Sequence, residues 1–167
     1  MMNDIFTCPI CDDKHCVPPS GSTKSPVLIV AEFPGEEELE KGRPMVGRMG
    51  TVLKTELGRL GIDINRMRLC NLWQHTPNGN EDCYKHGFET VIKEAKGEQA
   101  ILLLGSDTVK AFTGEKVSEV CGLKLKSDYL SAPIIIACVN PAQAFHSNIG
   151  EMRLALKKFS LAIEGKI

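Results

Sequence analysis

Glu32 closes a run of apolar residues, Val27 to Ala31, and is followed by Phe33, the turn pair Pro34-Gly35 and three further acids, Glu36 to Glu38. A glycine-punctuated stretch, Gly42-Arg43-Pro44-Met45-Val46-Gly47, comes next and runs into a helical pattern. A carboxylate at a strand end, beside the backbone amides of a tight turn and a glycine loop, can orient a water molecule. It can also stabilise positive charge that develops on a bound molecule. Open α/β sheets bind ligands at this edge of their strands. A second chemistry is offered by Cys8-Pro9-Ile10-Cys11, with Cys16 close behind. A Cys-x-x-Cys pair is a metal-binding signal.

These residues need a scaffold, and the apolar periodicity supplies one. Val27 to Ala31, Met67 to Trp73, Ala100 to Leu104 and Pro133 to Val139 read as strands, the third nearly all apolar and therefore buried on both faces. Helices are expected over Arg48 to Leu60, closed by Gly61, over Tyr84 to Lys96, Ser106 to Phe112 and Glu151 to Ile163. Thr76 to Glu81 reads as a loop. Strands alternating with helices predict a three-layer α/β/α sandwich around a mostly parallel central sheet of about four strands. The ends of those strands carry Glu32, Asn71, Gly105-Ser106 and Asn140-Pro141-Ala142. In a parallel sheet they share one edge, so residues distant in sequence can line one pocket.

Bulk properties narrow the class. A chain of 167 residues is expected to form a single domain over 1–167, with residues 1–26 as a cysteine-rich segment that has no core of its own. The formal charge of -1 gives no overall basic footprint, so a nucleic-acid partner has to use a local patch. No apolar run is long enough to span a membrane, and the N-terminus has neither the basic nor the apolar region of a signal peptide. Seven cysteines, an odd number, argue against a disulfide framework and for a reducing cytoplasm with a metal or cluster site. Cys70, Cys121 and Cys138 lie in apolar runs and read as core.

Taken in order, the motifs resemble the uracil-DNA glycosylase superfamily, and within it the iron–sulfur family 4 enzymes. Ala31-Glu32-Phe33-Pro34-Gly35-Glu36-Glu37-Glu38 is similar to that family's GEAPGEEE-like motif, and Gly42 to Gly47 to its GRPFVG-like loop. Asn71 closes the second strand, Leu104-Gly105 matches the LG turn, and Asn140-Pro141-Ala142 stands where the family has an HPA-like motif. The correspondence runs from about Cys8 to Phe145.

The resemblance implies a bacterial, archaeal or phage-related DNA glycosylase of base-excision repair. Such an enzyme acts as a cytoplasmic monomer on DNA carrying a damaged or modified base, which it flips into a pocket. By position Glu32 would orient water or stabilise the sugar cation, and Asn71 would read the base through its amide. Phe33 and Met45 would stack on the ring, with Gly35 and Glu38 lining the site. Arg43, Arg48 and Ser106 would meet the DNA, and Phe145 would fill the gap left by the flipped base. The histidine that supports the departing base is replaced by Asn140, which donates a hydrogen bond but supplies no proton. His146 is the residue placed to take over that role. A non-catalytic DNA- or base-binding protein, and a glycosylase for a modified phage-type pyrimidine, are the competing readings.

The resemblance also implies a four-iron four-sulfur cluster, with Cys8, Cys11 and Cys83 at cysteine positions of the family and His75 at the remaining one. Cys16 can supply the missing thiolate, giving Cys8, Cys11, Cys16 and Cys83, or His75 can ligate through nitrogen. Zinc is the alternative to the cluster, since it accepts four thiolates or three thiolates and an imidazole.

Overall fold

The computed structural model describes residues 6–165. The first five residues of the expected cysteine-rich segment lie outside that range. The elements run β1 (Ser20–Gly21), β2 (Val27–Ala31), α1 (Glu36–Lys41), α2 (Arg48–Arg59), β3 (Arg68–Asn71), α3 (Glu81–Ala95), β4 (Ala100–Leu104), α4 (Ser106–Thr113), α5 (Val117–Val120), β5 (Ile134–Cys138), α6 (Pro141–Ser147) and α7 (Ile149–Ile163).

The sheet has five strands in the order β1-β3-β2-β4-β5. β2 is parallel to β3 and β4, β4 is parallel to β5, and β1 pairs with β3 antiparallel. β2, β4 and β5 are buried at every position, as expected for strands covered on both faces. Alternate residues feed two cores. Ile29, Leu102 and Ile136 pack under α2 and α7 with Leu53, Leu57, Leu156 and Phe159. Leu28, Ile101 and Ile135 pack on the other face with Val91, Val109 and Phe112 of α3 and α4. The three layers expected from the alternation are present.

Beside the short α1 and α5, which were not among the expected helices, two elements escaped sequence reading. β1 is a two-residue Ser-Gly strand with no periodicity to detect. α6 starts at the Pro141 that the sequence presents as punctuation: proline is favoured in a first helical turn, where its missing N–H costs nothing. Asn140 caps that helix, its side chain accepting hydrogen bonds from the backbone amides of Ala142 and Gln143 at 3.0 and 3.4 Å.

A buried charge ties two helices of one layer together. Glu56 of α2 is 5% exposed and accepts two hydrogen bonds from Arg153 of α7, at 3.0 and 3.1 Å. At the other edge, Arg68 of β3 makes a forked pair with Glu94 of α3 at 2.8 and 3.2 Å.

Candidate active site and metal centre

The parallel register brings the C-terminal ends of β2, β4 and β5 together. Glu32 follows β2, and its backbone carbonyl accepts the amide of Trp73 at 2.9 Å, which extends the β2–β3 pairing beyond the strands. Gly105 follows β4 with φ +93, and its amide bonds Cys138 O at 2.9 Å. A Cβ on Gly105 would sit 1.9 Å from Glu32 Oε1, so the carboxyl group rests directly on the glycine backbone. The loop can make this approach only because residue 105 has no side chain.

A cavity of about 370 Å³ opens above these ends. Glu32, Phe33, Gly35, Glu38, Arg48 and Asn140 are among its lining residues, so three segments far apart in sequence share it. Its size is in the range that takes small-molecule groups.

Glu32 is half-buried, and its pKa is pushed from an ordinary 4.5 to about 7. Burial is the largest cause, followed by the charge of Asp107 and a hydrogen bond to its side chain. The backbone of Asp107 and the side chain of Asn140 oppose the rise by hydrogen-bonding the carboxyl group. Asn140 therefore faces two ways. Its Oδ1 is committed to capping α6, which leaves the amide nitrogen as the group that can donate toward Glu32 and the cavity.

Glu38 joins the two glycine-bearing loops. Its Oε1 accepts the amide of Gly35 at 3.1 Å, and Oε2 is buried without a partner among the described residues. A Cβ on Gly47 would stand 2.7 Å from Oε2, so this glycine makes room for the carboxylate. Phe33 presents an exposed ring on the cavity wall, 47% accessible.

Other expected site residues are placed differently. Asn71 ends β3 in register with Ala31, but it does not line the cavity that holds Glu32 and Asn140. It is 4% exposed, and its Nδ2 has no hydrogen-bond partner among the described residues. Met45 does not line this cavity either. Its backbone is left-handed (φ +59), and it joins the core around Leu53 and Leu57. Gly50 permits that arrangement, since a Cβ there would meet Met45 O at 2.0 Å. Arg43 lines a neighbouring depression with Met45, Thr51 and Lys54. His146 lies on the last turn of α6 in contact with Arg48 and stacks edge-on with exposed Phe145, outside the cavity lining. Ser106 is exposed at the start of α4.

Asp107 is the residue that sequence reading missed. Its signal was its place two positions after the strand-ending Gly105, masked because acids in a first helical turn are usually solvated.

The second site follows β3, where Trp73 packs against Cys8, Cys16 and Cys83. One donor atom from each of Cys8, Cys11, His75 and Cys83 falls in a group whose members are all within 4.8 Å of one another. Cys8 Sγ is 3.9 Å from Cys83 Sγ, and Cys11 Sγ is 3.5 Å from His75 Nε2. His75 is 2% exposed, and its Nδ1–H donates to Thr76 O at 2.9 Å, which leaves Nε2 free to bind a metal. Asn80 caps α3 by accepting from the Cys83 amide at 3.2 Å and so fixes that cysteine. The set takes His75 and leaves out Cys16, which packs beside Cys8 and Cys83 in the same small apolar cluster. Thiol and imidazole donors grouped in this way are able to hold a metal.

The sequence model of the uracil DNA glycosylase superfamily matches residues 18–161. The match starts after the Cys8–Cys11 pair and covers every strand end described above. The type-4 uracil-DNA glycosylase of Thermotoga maritima is 29% identical over 140 residues, which is 80% of this chain and 73% of that enzyme. The type-4 uracil-DNA glycosylase of Pyrobaculum aerophilum is 40% identical over 79 residues, 47% of this chain and 40% of that enzyme. That of Archaeoglobus fulgidus is 30% identical over 86 residues, covering 49% and 43% respectively.

Proposed function

The chain belongs to the uracil DNA glycosylase superfamily and is similar to its type-4 members, and from that premise we propose that it hydrolyses the N-glycosidic bond of uracil in DNA. The observation that carries the reading is the convergence of Glu32 and Asn140 on one cavity, with the Glu32 carboxyl poised near neutrality.

The base leaves the duplex and enters the cavity, at a cost of a few kcal/mol that is smallest for a mispaired base. Phe33 offers a face for stacking. Departure of the base puts positive charge on the sugar and negative charge on the ring. The cavity wall carries Glu32, Glu36, Glu37 and Glu38 against Arg48. That balance suits a neutral base and a cationic sugar better than it suits a phosphate.

In its ionised form Glu32 stabilises the sugar cation and orients the water that attacks it. The Asn140 amide hydrogen meets the oxygen of the departing base and spreads its charge without transferring a proton. Asn71, whose Nδ2 has no partner among the described residues, reads the base edge once closure on DNA opens a path to it. Arg48, with His146 beside it, contacts the phosphates at the cavity mouth, together with Arg43 and Ser106. Phe145 occupies the space left in the helix. The enzyme acts as a cytoplasmic monomer. The cysteine-rich centre is structural: it fastens the N-terminal segment to α3 and to the loop after β3.

The test is incubation with single- and double-stranded oligonucleotides bearing one uracil, with free base measured by mass spectrometry and abasic sites by alkaline scission. Release of uracil, with none from a thymine control, supports the proposal. Binding of the uracil duplex without release points to the non-catalytic reading, which the Asn140 amide favours because it has no proton to give. Release of a modified pyrimidine in preference to uracil points to altered specificity.

A further inference from the structure

We propose that Cys8, Cys11, His75 and Cys83 hold one tetrahedral divalent ion of the zinc kind in place of a four-iron cluster. The inference does not depend on the glycosylase reading.

The geometry is the argument. A tetrahedral ion with three sulfurs at about 2.3 Å and one nitrogen at about 2.05 Å sets sulfur–sulfur edges of about 3.8 Å and sulfur–nitrogen edges of about 3.6 Å. The structure has 3.9 Å between Cys8 Sγ and Cys83 Sγ and 3.5 Å between Cys11 Sγ and His75 Nε2. All four donors lie within 4.8 Å of one another, so no room for a cubane separates them. Two local features hold this spacing. The Cys8–Cys11 segment is a tight knuckle closed by hydrogen bonds from Cys8 N to Asp13 O at 2.7 Å and from Asp12 N to Cys8 O at 3.1 Å. Asp12 adopts φ +61 to make the turn. On the other side, the segment from His75 to Cys83 is short and is pinned by the Asn80 cap.

The surroundings also suit metal-bound thiolates. The amide of Ile10 points to Cys8 Sγ at 3.4 Å, and Asn78 Nδ2 points to Cys11 Sγ at 3.8 Å. Such N–H groups stabilise sulfur that has given up its proton on binding a metal. The carbonyl of Thr76 fixes the imidazole with Nε2 inward, the outer support usual for a ligating histidine. Three thiolates and one imidazole form a closed structural zinc set.

Protein made in cells supplied with both iron and zinc, and purified without oxygen, tests the proposal by metal analysis, labile sulfide and absorption. One zinc per chain, no labile sulfide and no visible colour are expected. Exchange with cobalt(II) should give the intense visible bands of a tetrahedral thiolate site. Cys16→Ser should keep one ion per chain. His75→Ala should weaken binding at least about 10-fold. His75→Cys should keep the ion with a shifted cobalt spectrum, a readout that survives if the alanine variant does not fold. Iron and labile sulfide at four per chain, or chains with no bound metal, would overturn the proposal. Loss of the ion in Cys16→Ser with retention in His75→Ala would overturn the ligand set. Uracil release is not among these readouts, so failure here leaves the glycosylase reading intact.

Discussion

Replacing Glu32 by glutamine should stabilise the folded chain at alkaline pH and leave it unchanged in acid. The carboxyl moves from an ordinary 4.5 to about 7 on folding, mainly through burial and secondly through Asp107. A raised acid pKa means that the folded state holds the proton more tightly than the unfolded chain. Below about 4.5 both states are protonated, and the group contributes no difference. Stability is then lost as pH rises from 4.5 to about 7, and above that the loss is complete.

Each tenfold change in proton affinity is worth about 1.36 kcal/mol, which would put the whole effect near 3.4 kcal/mol. Glu32 is only half-buried, and solvent screening brings the expectation down to about 1 to 2 kcal/mol. For a domain of this size that corresponds to roughly 2 to 8 °C in melting temperature. Glu98, also pushed to about 7 by burial and by Glu94, titrates in the same window, but it is present in both proteins and drops out of the comparison.

The assay is calorimetric melting of wild type and Glu32→Gln between pH 4 and pH 8.5. The expected result is coincidence at pH 4 and a higher melting temperature for the variant above pH 7. A variant that melts lower at pH 8, or by an offset independent of pH, would refute the reasoning.

Asn140→His exchanges a neutral donor to the departing base for one that can carry positive charge and should raise uracil release by about 10-fold, since a charge-assisted hydrogen bond is about twice as strong as a neutral one. The same change removes the cap on α6 and should lower stability by about 1 kcal/mol, read as a small fall in melting temperature. Gly105→Ala places a Cβ against Glu32 Oε1 at a backbone conformation that favours glycine. It should cost about 2 kcal/mol and release uracil more slowly than the stability loss explains, as measured by denaturant unfolding and initial rates. Arg48→Ala should weaken DNA binding at every sequence and reduce the salt slope of log K by about 1, as measured by anisotropy titration over a range of salt.

The ends of β2, β4 and β5 were legible in the sequence because each of these strands is a short apolar run broken by a glycine or a polar residue. β2 and β4 stand where the runs Val27 to Ala31 and Ala100 to Leu104 place them. Glu32 and Asn140 were nameable for the same reason. What the sequence hid was orientation. Nothing in Gly-Arg-Pro-Met-Val-Gly says that Met45 takes a left-handed backbone and enters the core, because that depends on Gly50 letting α2 approach. Asn71 was legible as a polar strand end, but its burial depends on the β2–β3 register. The Glu32–Asp107 pairing was invisible, since it arises from a close approach across Gly105. The choice of His75 over Cys16 rests on the fold of the short loop before α3, which spacing alone does not determine.

The most direct measurement is a structure of the protein bound to duplex DNA carrying 2′-fluoro-2′-deoxyuridine, whose glycosidic bond resists cleavage. The account predicts the uracil ring outside the helix, beside Phe33, with its sugar facing Glu32 and a ring oxygen within hydrogen-bond reach of the Asn140 amide nitrogen. A uracil still stacked in the duplex, or lodged elsewhere with the Glu32–Asn140 cavity empty of it, would contradict the account.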